Sequence, residues 1–293
     1  MRNRLSSPLA RRAAFVAVAI TAVLLPAHAA VGATLALDRT IQTSPFTETS
    51  VSMGDNEGSA FVPSDNSLWL ADDNKDRIYK VNPATGVLKR TIPRRAFNNA
   101  RKLGGGPRAG KKRTGDFEAI AYNRRKDLLY IFSGACCKSL SRATAFRLKR
   151  RSGRFRVASY QRLPTGADYT AAAWSPTDGK LYVGKGKEMR SFNYATGTTS
   201  APFGVDGVGG ILGMDFSPNG ADLFVTVNGE QLIRIDWATR TVVSGWTFDL
   251  TPFGIRDARA VAKIRGRFFV SDGSDSRSNG DPLRHAVFVL EAN

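Results

Sequence analysis

One unit recurs five times along the 293 residues, and no other feature limits the fold as strongly. Its first strand reads Glu57-Gly-Ser-Ala-Phe61, Glu118-Ala-Ile-Ala-Tyr122, Thr170-Ala-Ala-Ala-Trp174, Leu212-Gly-Met-Asp-Phe216 and Arg259-Ala-Val-Ala-Lys263. Small residues fill its middle, and an aromatic closes four of the five copies. A second strand starts eleven residues after the first in four copies: Leu68-Trp-Leu70, Leu129-Tyr-Ile131, Leu181-Tyr-Val183 and Leu223-Phe-Val225. The fifth copy is two residues shorter and gives Phe268-Phe-Val270. Pro, Asp, Asn and Gly between the two strands (63–66, 176–179, 218–220) have turn chemistry. A third strand alternates polar and apolar residues, as in Arg77-Ile-Tyr-Lys-Val81 and Gln231-Leu-Ile-Arg-Ile235. A second turn follows, with Gly86 and Gly197 where a hairpin needs positive φ, and then a fourth strand such as Val87–Ile92 or Thr241–Phe248.

Four short strands per unit, repeated every 42 to 61 residues, predict an all-β chain, a β-propeller of five four-stranded blades. The fifth unit reaches Asn293 without a fourth strand. Thr34–Ile41 carries a free strand pattern and is expected to pair there, closing the ring and removing its exposed edges. A sixth blade would have to come from residues 94–116, which are rich in Gly and Arg and lack apolar alternation. That segment reads as an inserted loop in a single domain spanning 34–293.

Residues 1–33 read as a secretory leader: Arg2, Arg4, Arg11 and Arg12, an apolar run Ala13–Leu25, then Pro26 and Ala27-His28-Ala29. Cleavage after Ala29 or after Ala33 fits equally. The run is too short to span a bilayer, so a secreted protein with no membrane span is expected, as a monomer. The whole chain carries +18, and without the leader about +14, an excess that favours anionic extracellular ligands or polymers. Eight cations lie between Arg94 and Arg113, among them Arg108, Lys111, Lys112 and Arg113, the candidate anion-binding set. Phe97 is the only aromatic there, so base stacking and sequence-specific nucleic-acid reading are not expected. Cys136 and Cys137 are adjacent and staple no loop. A vicinal disulfide and two free thiols remain the alternatives.

The chemistry-bearing set is acidic. After the leader there is one histidine, His285, which reads as a strand residue and excludes a zinc site built on several imidazoles. In a propeller the first strand of each blade lines the channel, so its first residues gather at one mouth. Those positions hold Glu57, Glu118, Thr170, Leu212 and Arg259, preceded by Asp55, Asp116, Asp168 and Asp257. Glu57, Glu118, Asp116, Asp168 and Asp257 are therefore candidate ligands for Ca2+ or Mg2+. The alternative is that Arg259 pairs with Glu57 or Glu118 and plugs a dry channel. Asp72, Asp73 and Asp272 follow second strands and read as caps on backbone N–H groups. Trp69, Trp174, Trp237 and Trp246 read as blade packing.

Ser217-Pro-Asn-Gly-Ala-Asp-Leu-Phe-Val-Thr-Val-Asn228 resembles YVTN propeller repeats, and Leu68-Trp-Leu-Ala-Asp-Asp-Asn74 with Arg77-Ile78 resembles NHL repeats. Asn56-Glu-Gly58 and Asp116-Phe-Glu-Ala-Ile-Ala121 resemble the regucalcin-type lactonases and the SdiA-regulated and esterase-like phytase propellers. The lactonase resemblance implies a metal-ligating glutamate at Glu57. Thr170 and Leu212 depart from the Asn and Asp ligands it would place on other blades. Two functions stay open: an extracytoplasmic binding or scaffold propeller for an anionic ligand or polymer, and a cation-dependent lactonase, esterase or phosphoesterase acting at the channel mouth.

Overall fold

The alternating runs sort into five antiparallel sheets of four strands each in the computed structural model, which describes residues 33–103, 115–134, 143–164, 166–273, 277–278 and 281–293. Blade one holds β2 (Gly58–Val62), β3 (Ser67–Asp72), β4 (Arg77–Val81) and β5 (Leu88–Pro93). Blade two holds β6 (Phe117–Asn123), β7 (Leu128–Ser133), β8 (Thr144–Arg151) and β9 (Arg154–Arg162). Blade three holds β10 (Ala171–Trp174), β11 (Leu181–Lys185), β12 (Glu188–Asn193) and a two-residue outer strand, β13 (Thr198–Thr199). Blade four holds β14 (Ile211–Phe216), β15 (Asp222–Val227), β16 (Gln231–Asp236) and β17 (Thr241–Asp249). Blade five holds β18 (Ala258–Ile264), β19 (Arg267–Asp272), β20 (Val287–Ala292) and, from the other end of the chain, β1 (Leu35–Ile41).

The ring closes as the sequence predicts. β1 pairs with β20 from Leu35 opposite Ala292 to Ile41 opposite Val287. Thr34 and Asn293 then exchange backbone hydrogen bonds of 3.1 and 3.0 Å. Five apolar clusters form the core, one at each seam between neighbouring blades. The aromatics that end the first strands serve these seams. Phe216, for example, meets Trp237 edge-on at 4.8 Å. Trp69, Trp174 and Trp237 are buried seam residues, and Trp246 packs half-buried on the seam between blades four and five. Small residues in the first strands answer to crowding at the hub. A Cβ on Gly213 would lie 2.5 Å from the Cα of Ala260. The space they leave at one end of the channel holds about 10 Å³, room for about one water.

Two expectations about secondary structure need correction. The segment read as a loop from residue 94 opens with a helix, α1 (Arg94–Leu103). It joins the outer strand of blade one to the first strand of blade two. Phe97 anchors it, fully buried with ring centroids 4.6 Å from Phe117 and 5.1 Å from Phe146. One aromatic in a polar stretch is no periodic signal, yet its burial and the good helix propensity of Ala, Arg and Lys are enough for a short helix. His285 is not in a strand. It sits in the turn before β20 with φ 55°, buried. Its carbonyl accepts hydrogen bonds from Thr43 Oγ1 (2.6 Å) and Asn56 Nδ2 (3.3 Å).

Cys136, Cys137, Arg108, Lys111, Lys112, Arg113 and the leader up to Gly32 lie outside the described residues. No helix among the described residues is long and apolar enough to cross a membrane.

Candidate metal centre at the channel mouth

At the start of the first strands the ladder slips. A bulge falls at Glu118 in β6, at Leu212 in β14 and at Arg259 in β18. A bulge adds a residue to one strand and re-aims its side chain. The five positions that the repeat assigns to the mouth thus share a local geometry in three blades, and they split into two chemical sides.

One side is an ion-paired plug. Arg259 reaches Glu57 (Nη1 to Oε2, 3.3 Å) and Asp257 (Nε to Oδ2, 2.7 Å). Of the five candidate ligands, these two carboxylates are taken by the guanidinium. Burial raises Glu57 to about 7, against the lowering pull of Arg259, with Asp257 and Asp73 adding repulsion.

The other side gathers carboxylates. Asp116, Glu118 and Asp168, from blades two and three, each place an oxygen within 4.8 Å of the other two. Ca2+ holds oxygen ligands at about 2.3–2.6 Å, so oxygens this close can share one ion. The chain also leaves room for them. A Cβ on Gly134 would lie 2.3 Å from Asp116 Oδ2, 2.6 Å from Asp168 Oδ1 and 2.9 Å from Glu118 Oε1. A side chain there would have to push all three carboxylate ends aside. Gly134 also donates its N–H to the carbonyl of Asp116 at 2.7 Å, which fixes the approach. Both the donor set and the cradle therefore suit a hard cation. Burial pushes Glu118 up to about 10, with Glu57, Asp116, Asp73 and Asp168 adding like charge. Lys185 Nζ stands 4.0 Å from Asp168, an exposed pair of little weight.

Asp73 belongs to this side, and the capping role assigned to it from the sequence is wrong. Burial, then its hydrogen bond to Asp116 and that residue's charge, raise it to about 8. The Asp72-Asp73 pair, the last residue of β3 and the first of the turn after it, divides its labour. Asp72 turns inward and caps as expected, accepting from the N–H groups of Gly54 (3.0 Å), Asp55 (3.2 Å) and Lys75 (2.9 Å) and from the Tyr79 hydroxyl (3.0 Å). Asp272 does the same in blade five for the N–H groups of Arg256 (3.4 Å) and Asp257 (3.1 Å). The two buried caps hold the loops that carry Asp55 and Asp257 to the rim. Asp76 accepts the Asp116 N–H at 2.9 Å and pairs with Arg94 of α1. Asp116 itself has φ 60°, a left-handed conformation that Asp tolerates better than most residues. The tandem acids and the glycine standing at Asp73's place in blade two were the available sequence signals.

No protein-family model and no curated protein matches the chain. Solved structures do. The glutaminyl cyclase of Myxococcus xanthus aligns with a TM-score of 0.60 at 12% identity, covering 88% of this chain and 96% of its own. A luciferin-regenerating enzyme aligns at 0.53 with 13% identity, over 89% and 95%. The PQQ-bound aldose sugar dehydrogenase of Streptomyces coelicolor aligns at 0.51 with 13% identity, over 89% and 98%. At such identities the likeness is one of fold: distant enzymes are built on a propeller like this one.

Proposed function

We propose that the protein is an extracytoplasmic propeller that binds Ca2+ or Mg2+ through Asp116, Glu118 and Asp168, and that the bound cation receives the anionic group of a ligand at the channel mouth. The observation that carries this reading is the convergence of three carboxylates from two blades on the space kept open at Gly134. Asp73 and Asp55 stand beside the set, and Arg259 keeps Glu57 and Asp257 occupied on the far side. The positive balance of the chain draws anions toward a rim that without a cation would repel them.

A second reading, hydrolysis of an ester, lactone or phosphoester, has its own support. Asp73, hydrogen-bonded to Asp116 at the edge of the set, is placed to relay a proton to a leaving group there. Here the cation would polarise the scissile group. That the three enzymes named above use a similar ring agrees with this reading at the level of fold alone.

Calorimetric titration tests the cation. Calcium should bind with release of protons, because it displaces those the cluster holds. Glu118→Gln, Asp168→Asn and Gly134→Ala should each weaken binding by about tenfold or more, the worth of one charged ligand contact. Absence of heat and of any melting shift at millimolar calcium or magnesium sinks the reading. A panel of p-nitrophenyl esters, lactones and phosphoesters, with and without chelator, then separates the hydrolase from the binder.

A further inference from the structure

Asp116, one of the three proposed cation ligands, keeps an uncommon backbone conformation. Its φ of 60° is left-handed, a state that a residue with a side chain holds only where its surroundings impose it. Both of its backbone groups are pinned. The carbonyl accepts the N–H of Gly134 at 2.7 Å, from the end of β7 in its own blade. The N–H donates to Asp76 Oδ1 at 2.9 Å, in the turn between β3 and β4 of blade one.

Asp76 is shaped for that grip. It too is left-handed, with φ 52°, and its N–H closes the turn on the Asp73 carbonyl at 3.1 Å. Its side chain is half-buried, and each carboxylate oxygen has its own partner. Oδ1 takes the Asp116 N–H, and Oδ2 takes Nη1 of Arg94, the first residue of α1. Gly115 leaves the carboxylate its room. A Cβ there would lie 2.6 Å from Asp76 Cγ and 2.9 Å from Oδ2. With both oxygens engaged and the backbone of Gly115 against it, the carboxylate is held in one orientation. The contacts run from Arg94 through Asp76 to Asp116, that is, from the basic insertion to the rim.

From this we infer that Asp76 is the positioning residue of the cation site and that Arg94 orients Asp76, so that the insertion opening with α1 is part of the site. The inference rests on the reading of Asp116, Glu118 and Asp168 as cation ligands. Groups that stand behind a ligand and fix its direction are commonly worth ten- to hundredfold in metal affinity. Charge and position make opposite demands on Arg94. A guanidinium near the site repels a cation, so by charge alone its loss tightens binding. By position its loss loosens Asp76, then Asp116, and weakens binding.

Calorimetric titration of the whole protein with calcium decides between them. Arg94→Gln should weaken calcium binding about tenfold, against the sign of the charge change. Asp76→Ala should weaken it about ten- to hundredfold, and Asp76→Asn, which keeps an oxygen for the Asp116 N–H, by less. Arg94 lies at the partly exposed start of α1, so its variant tests the inference even if Asp76→Ala fails to fold. Linkage is reciprocal, so calcium should slow amide hydrogen exchange in α1 of the wild type. The inference is overturned if Arg94→Gln binds calcium as tightly as the wild type or more so, if Asp76→Asn binds no better than Asp76→Ala, or if calcium leaves exchange in α1 unchanged. Failure of the wild type itself to bind calcium or magnesium would remove the cation site and the inference with it. Binding by the wild type with unmoved variants overturns the inference alone.

Discussion

Burial gives the carboxylates under this rim protons that exposed ones surrender. Glu57, Asp73 and Glu118 rise to about 7, about 8 and about 10 from ordinary values of 4.5, 3.8 and 4.5, each chiefly through desolvation. A carboxyl whose folded value lies above its unfolded one stabilises the fold while protonated. That contribution is whole below the unfolded value and is lost as pH climbs through the folded one. The cation-free protein should therefore melt at progressively lower temperature as pH rises from about 7 to about 10. Saturating calcium should flatten the fall, because a ligand bound only by the folded state stabilises it and this one grows tighter as protons leave. Melting curves across that range, with chelator and with calcium, check both halves. A cation-free profile that is level or rising contradicts the raised values.

Elements in this ring survive by what their side chains reach in the next blade. α1 shows this most simply, since Phe97, with Ala96 half-buried beside it, ties it to the seam between blades one and two. Phe97→Ala should cost about 3–5 kcal/mol in urea unfolding, the range for a large buried aromatic. It should also raise hydrogen exchange in α1 while β6 and β7 stay protected. A loss below about 1 kcal/mol would mean that the helix is held elsewhere, for instance by the Arg94–Asp76 pair. β1 is the second case. Ile41 is buried on the seam between blades five and one, and the strand covers the edge of β20. A chain begun at Gln42 should melt several degrees lower and aggregate through the edge of β20. Light scattering and calorimetry read the two effects, and an unchanged melting curve would show that closure by β1 adds no stability.

At the scale of the whole molecule, charge and chemistry are segregated. Carboxylates are concentrated at one end of the channel, yet the chain as a whole is strongly basic. The cationic run from Arg94 enters the rim side through α1, whose first residue already pairs with Asp76. The protein should be retained on heparin at low salt and elute as salt rises, because each phosphate or sulfate contact releases counterions. Replacing Arg108, Lys111, Lys112 and Arg113 by Ser should move elution to clearly lower salt. Elution at the parent's position would assign retention to the rest of the surface.

The blade count, the strand order within each blade and the closing strand were all readable from the sequence. They depend on local period, turn residues and small residues at the hub, and these leave a mark every time the unit repeats. The sequence also placed Asp116, Glu118 and Asp168 at one mouth, because strand position in a propeller dictates which end of the channel a residue meets. What tertiary structure alone decided was pairing. Arg259 took Glu57 and Asp257 because blade five abuts blade one at the closure of the ring, 202 residues apart in the chain for the Glu57 contact. Asp73 joined the acids instead of capping a loop, since it opens the turn after β3 and meets Asp116 from the next blade. Phe97 made a helix of a polar stretch, and the turn before β20 took His285 out of its expected strand. Each of these outcomes rests on contacts between segments distant in sequence, where side chains compete for the same space and charge, and no local pattern records who wins.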